Sequence, residues 1–99
     1  MAAKPQAICS AAGGVIHVTG PLVFGTAGEA LSQSLALLPT QGTAIIELSA
    51  VPHADSAALA LIVEWRRVSA QRGLRLELRG LPAQLRALAA AAGLDALCA

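Results

Sequence analysis

Residues 43–63, TAIIELSAVPHADSAALALIV, decide the fold, because a strand-like segment, a polar loop and a helix-like segment follow one another directly. The near-continuous apolar run at 43–48 predicts a strand that is covered on both faces. The loop at 49–55 ends in the pair Asp55–Ser56, and seven apolar residues follow at once. We predict a helix over about residues 56–72, which Gly73 ends as its C-cap.

Hydrophobic periodicity and turn residues also predict the strands and helices on either side of this segment. Strands are predicted at residues 6–9, 15–19 and 74–79, and helices at 26–38 and 82–92, with glycine or proline between them. The order is therefore β-β-α-β-α-β-α. Alternating strands and helices imply parallel pairing through right-handed crossovers, and the first hairpin adds an antiparallel strand. The prediction is an α/β domain with a mixed sheet of about four strands and three helices packed on it.

Composition excludes several classes of function. The 99 residues fit one domain, and a hydrophobic content of 56% excludes disorder. A net charge of +1 and only two aromatic residues, Phe24 and Trp65, argue against nucleic-acid binding. The sequence shows neither a signal peptide nor an apolar run near the roughly 18 residues that span a bilayer. We therefore expect a cytoplasmic protein without direct membrane insertion, its cysteines reduced.

Residues that would support catalysis or cofactor binding are sparse. The sequence has no GxxxxGK phosphate loop, and His17 and His53 have no companions at metal-ligand spacing. We therefore expect no metal and no cofactor. A nucleophilic pair of His53 and Ser56 is conceivable, but nothing suggests an oxyanion-stabilising element. The expectation is a protein that is not an enzyme.

The pair Asp55–Ser56 lies where a strand ends and a helix begins, which is where sites gather in such sheets. Either side chain can cap the helix by accepting hydrogen bonds from its first N–H groups. If Asp55 caps, the Ser56 hydroxyl stays free at the first turn, where the helix dipole would also favour a phosphate on it. The plain alternative is that the pair serves as a helix cap and nothing more.

The helix after Ser56 carries a second apolar ridge beside its core-facing side. At about 100° per residue, Leu59 and Val63 lie outside the main apolar arc and next to Ser56. Two interpretations stay open: the ridge packs against the first helix, or it forms a small binding patch for a protein partner. The second interpretation gives as candidate partner-binding residues Asp55, Ser56, Leu59 and Val63, with Arg66 and Arg67 at the polar rim.

These residues resemble a known family. The segments Ile45–Ser49 and Ala54–Leu59, with Val51 between them, are similar to the signature of STAS domains, named for sulfate transporters and anti-sigma-factor antagonists. The segments at 71–73 and 74–81 also match the family's helix end, next strand and turn. The resemblance covers about residues 6–94 and implies a single STAS domain over 1–99. This sequence departs from the family in having Glu47 where Asp is usual, and alanines after Ser56 where glycines occur.

The resemblance implies one of two functions. Short MlaB-type members bind the cytoplasmic ATPase of an ABC phospholipid transporter that maintains outer-membrane lipid asymmetry, through the hydroxyl residue at the Ser56 position and nearby helix residues. In anti-sigma-factor antagonists, a partner kinase, itself an anti-sigma factor, phosphorylates that residue and so breaks the complex. The sequence after Gly93 and the apolar run at 59–63 resemble the MlaB-type branch more closely. That branch implies a location peripheral to the inner membrane, through the transporter complex.

Overall fold

The computed structural model describes residues 6–98 and confirms the predicted order of elements. The strands are β1 (Ile8–Ala12), β2 (Val15–Thr19), β3 (Thr43–Ala50) and β4 (Arg75–Arg79). The helices are α1 (Phe24–Leu37), α2 (Ser56–Gln71) and α3 (Ala83–Ala91), and a short 3₁₀ helix follows at Asp95–Cys98. Within these residues no helix is both long and apolar enough to cross a membrane.

The sheet has the order β1-β2-β3-β4 and is mixed, as predicted. β1 runs antiparallel to β2, whereas β2, β3 and β4 pair in parallel. The hairpin turn consists of Gly13 and Gly14, whose φ angles of 59° and 78° are the positive values that a two-residue hairpin turn requires. Because these two glycines suffice for the turn, β1 extends to Ala12, beyond the predicted end at residue 9.

The core lies on one face of the sheet. Alternate residues of the two central strands are buried against the helices: Ile16, Val18, Ala44, Ile46 and Leu48. The opposite face is open, and Ile45 is only half-buried there. The expectation that β3 is covered on both faces is therefore wrong. The path β2-α1-β3-α2-β4 moves across the sheet in one direction, so right-handed crossovers put α1 and α2 on the same side.

A buried hydrogen bond joins α2 to α1 within this core. The indole N–H of Trp65 donates to Ser34 Oγ at 2.8 Å, and both residues are fully buried. The Ser34 hydroxyl in turn donates to the carbonyl of Leu31 at 3.1 Å. A buried polar group without a partner is costly, so the two side chains must stay paired. The hydrogen bond therefore fixes the position of α2 relative to α1, in addition to the apolar packing between them.

The open face of the sheet carries a polar row across three strands. His17, Glu47 and Arg79 are in register on β2, β3 and β4. Hydrogen bonds from Ser49 lower the pKa of Glu47, with smaller contributions from Arg79 and His17. Gly80 lies against this row at φ 66°, and a Cβ at that position would collide with the Glu47 carboxylate and the Ser49 backbone. Glycine is therefore required at this turn.

Candidate functional site

The loop before α1 and the loop before α2 run side by side at the carboxyl ends of β2 and β3. The backbone N–H of Leu22 donates to the carbonyl of His53 at 2.9 Å, and the N–H of Asp55 donates to the carbonyl of Leu22 at 3.1 Å. These bonds form a parallel bridge between Leu22 and Ala54, both buried. The bridge brings the amino-terminal ends of α1 and α2 together, at the sheet edge where the sequence predicts a site.

Asp55 caps both helices. Its Oδ1 accepts a hydrogen bond from the backbone N–H of Ala57 at 2.8 Å, so it is the N-cap of α2. Its Oδ2 accepts from the backbone N–H of Phe24, the first residue of α1, at 3.1 Å. The carboxylate is half-buried between two helix amino termini, where the helix dipoles favour a negative charge. Of the two residues that the sequence offers as cap, the structure selects Asp55.

Ser56 is therefore left free at the first position of α2. Its side chain is exposed, and its hydroxyl makes no hydrogen bond with any residue of the 6–98 segment. His53, the conceivable base for a nucleophilic pair, is also exposed and makes no such bond to it. Across the same segment, no group of three or more His, Cys, Asp or Glu residues could hold a metal ion. The geometry thus presents Ser56 as an accessible hydroxyl without internal partners.

The predicted ridge on α2 is divided between the interior and the surface. Leu59 is only 8% exposed and belongs to the core, whereas Val63 is 42% exposed. Both lie on the flank of α2 that faces away from α1, so the ridge does not pack against the first helix. Arg66 is half-buried. Of the two apolar residues, Val63 alone offers a partner much of its surface.

Arg67 lies on the exposed side of α2 and pairs with Glu64 one turn earlier. Its guanidinium donates to both carboxylate oxygens, at 3.0 and 2.7 Å. This contact lowers the pKa of Glu64 and raises that of Arg67. Ser56, Ala60, Val63 and Arg67 follow the spacing i, i+4, i+7, i+11, so they form one outward-facing row. The predicted residues Ser56, Val63 and Arg67 are thus brought together on the surface.

An apolar groove between α1 and α2, which was not among the sequence predictions, adjoins this row at Ala60. The α1–α2 groove has a volume of about 370 Å³. Its lining residues are Phe24, Ala27, Gly28 and Leu31 of α1, and Ala57, Ala60, Leu61 and Glu64 of α2. Phe24 is 89% exposed, which is exceptional for a phenylalanine. Residues 24, 27, 28 and 31 have the spacing of one face of a helix. Because the helix was predicted to start at residue 26, Phe24 was not assigned to that face.

Comparisons with known proteins agree on the fold. The profile of the family described as "Mlab, STAS domain" matches residues 9–99. A sulfate transporter family protein from Wolinella succinogenes superposes with a TM-score of 0.65 at 23% identity, over 86% of this chain and 70% of that one. The murine anion transporter Slc26a9, inward-facing, gives 0.64 at 19% identity, over 82% of this chain and 14% of that one. No curated protein matches the sequence significantly.

Proposed function

The chain belongs to the family of MlaB-like STAS domains, and from this membership we propose that it is a non-enzymatic subunit that binds and regulates an ATPase. The ATPase is the cytoplasmic one of a phospholipid-trafficking ABC transporter. In this role the chain acts as a single STAS domain, needs no cofactor or metal, and is held at the inner membrane through the transporter complex. Regulation then consists of steadying one conformation of the ATPase by contact.

The observation that carries the proposal is the accessible hydroxyl of Ser56 beside the α1–α2 groove. Burying the exposed apolar surface of Phe24 and Val63 would favour association by about 25 cal/mol for each Å² removed from water. Ser56 would give the partner a hydrogen bond at the centre of that surface. Losing this bond would leave a buried group of the partner unpaired, at a cost of about 1–3 kcal/mol.

The structure refines which predicted residues we assign to the contact. Ser56, Val63 and Arg67 are exposed in one row and are retained, and Phe24 joins them. Arg66 is kept at the rim, since it is partly exposed. Leu59 is buried, and in this proposal it supports α2 from beneath instead of contacting the partner.

Copurification from membranes tests the proposal. The tagged chain is expected to bring down the transporter's ATPase and permease, and Ser56→Arg and Phe24→Ala are each expected to reduce the yield strongly. The matched controls are Ser10→Arg and Ile8→Ala, because both residues are exposed on β1 and neither lines the α1–α2 groove. Undiminished complex formation by the Ser56 and Phe24 variants would overturn the proposal.

A second candidate is a phosphorylation switch of the anti-sigma-factor-antagonist kind. The exposed Ser56 hydroxyl at the first turn of α2 favours it, since a helix amino terminus stabilises a phosphate group. Incubation with candidate serine kinases, followed by intact-mass measurement, is expected to show one added phosphate that Ser56→Ala abolishes and Ser10→Ala retains. If no kinase adds phosphate to the unaltered chain, the switch is excluded and the ATPase-binding role is favoured.

A further inference from the structure

We infer that Asp55 is a positioning residue that sets the geometry of the α1–α2 groove, holding Phe24 in place for the partner instead of contacting the partner itself. The inference rests on the proposed function, in which this groove receives a protein. It changes the role that the sequence suggests for Asp55, from a contact residue to the residue that shapes the contact surface.

The side chain that accepts from the N–H of Phe24 does not belong to α1. The N-cap position of α1 is Val23, whose side chain has no hydrogen-bond acceptor. Thr26 Oγ1 accepts from the backbone N–H of Val23 at 3.0 Å and donates to the carbonyl of Pro21 at 2.7 Å. The N–H of Phe24 therefore finds its side-chain acceptor on Asp55, 31 residues later in the chain.

The two hydrogen bonds of the Asp55 carboxylate reach opposite walls of the α1–α2 groove. Phe24 begins the α1 wall and Ala57 begins the α2 wall. Asp55 Oδ2 accepts from the backbone of the first, and Oδ1 from the backbone of the second. The two oxygens of one carboxylate are a fixed distance apart, so they set how far apart the walls lie at this end of the groove.

Packing does little to hold the side chain of Phe24 in place. The residue is 89% exposed, so the position of its ring depends on the backbone of the first turn of α1. Without the bond to Asp55 that turn would fray, and binding would have to order the ring as well as cover it. Aromatic side chains are often the residues that dominate a protein interface, so a displaced Phe24 would weaken association.

Asp55→Asn isolates this role. An asparagine remains a good N-cap for α2, but its amide has one acceptor oxygen instead of two, so the bond to Phe24 is lost. Asp95→Asn on the 3₁₀ helix is the matched control, because it makes the same chemical change at an exposed aspartate. The first readout needs no partner: by NMR, the amide of Phe24 should exchange hydrogen at least about tenfold faster in Asp55→Asn, with the amide of Trp65 unchanged.

The second readout is a double-mutant cycle of affinity for the purified ATPase subunit of the transporter. Asp55→Asn should weaken binding about tenfold when Phe24 is present, and have little effect when it is combined with Phe24→Ala. Equal weakening in both backgrounds, or none in either, would overturn the inference, as would unchanged exchange at the Phe24 amide. If the unaltered chain does not bind the ATPase, the proposed function fails, and the exchange measurement still decides whether Asp55 holds Phe24.

Discussion

Removing the Ser34 hydroxyl should destabilise the domain through the indole of Trp65. In Ser34→Ala the indole N–H, which donates to Ser34 Oγ at 2.8 Å, stays buried without an acceptor. An unpaired buried donor costs about 1–3 kcal/mol. The lost hydroxyl is itself buried and hydrogen-bonded to Leu31, so its removal adds little beyond this cost. In a domain of about 100 residues, each kcal/mol lowers the melting temperature by about 4–8 °C.

Urea denaturation measures this loss directly. Trp65 is the one tryptophan of the sequence and is fully buried, so its fluorescence reports global unfolding. Ser32→Ala is the matched control, because Ser32 is exposed on the same helix. This variant measures the effect of the higher helix propensity of alanine without the loss of a buried hydrogen bond. In a double-mutant cycle followed by circular dichroism, Ser34→Ala should cost much less when Trp65 is already Phe. If the loss in the free energy of unfolding for Ser34→Ala is within about 0.5 kcal/mol of the loss for Ser32→Ala, the hydrogen bond to Trp65 does not stabilise the domain as proposed.

Three further predictions follow from burial, crowding and charge. Leu59→Ala should lower the free energy of unfolding by about 2–4 kcal/mol and Val63→Ala by less than about 1, measured by urea denaturation; equal losses would contradict the assigned burial. Gly80→Ala should lower the melting temperature more than Gly73→Ala, because both have φ near 67° but an added Cβ meets neighbours only at Gly80. The lowered pKa of Glu47 means that its contribution to stability is full above its ordinary pKa of 4.5 and is lost as the pH falls through the folded-state pKa. Acid titration of Glu47→Gln should therefore show a flatter loss of stability below about pH 4.5 than the unaltered chain, and an identical curve would refute this.

The elements of the fold were predictable because each has a local pattern. Strand β2 and the start of α2 were predicted to the residue, since a β-rich segment between glycines marks the first and the Asp55–Ser56 pair marks the second. The start of α1 was missed by two residues, because its capping acceptor lies in a different loop. A rule that searches for a cap next to the helix cannot find one that lies 31 residues away. The omission of Phe24 from the candidate site follows from that single error.

The role of Leu59 could not be decided from spacing for a similar reason. A helical projection gives the direction of a side chain but not what lies in that direction. Leu59 and Val63 project from neighbouring angles, yet the first is buried and the second is not. The same limit applies to β3, where an apolar sequence suggested two covered faces. Whether helices cover one face of the sheet or both depends on the order in which successive strands lie across the sheet. The sequence of a single strand does not determine that order.

The shared cap at Asp55 also has a consequence for biogenesis. A ribosome releases residues 24–37 before it has made the carboxylate that completes their first turn. The N–H of Phe24 therefore lacks this acceptor until the loop after β3 has been made and has closed. We expect a nascent chain truncated before residue 55 to leave Phe24 loosely held, and thus open to chaperones, until synthesis has passed that point.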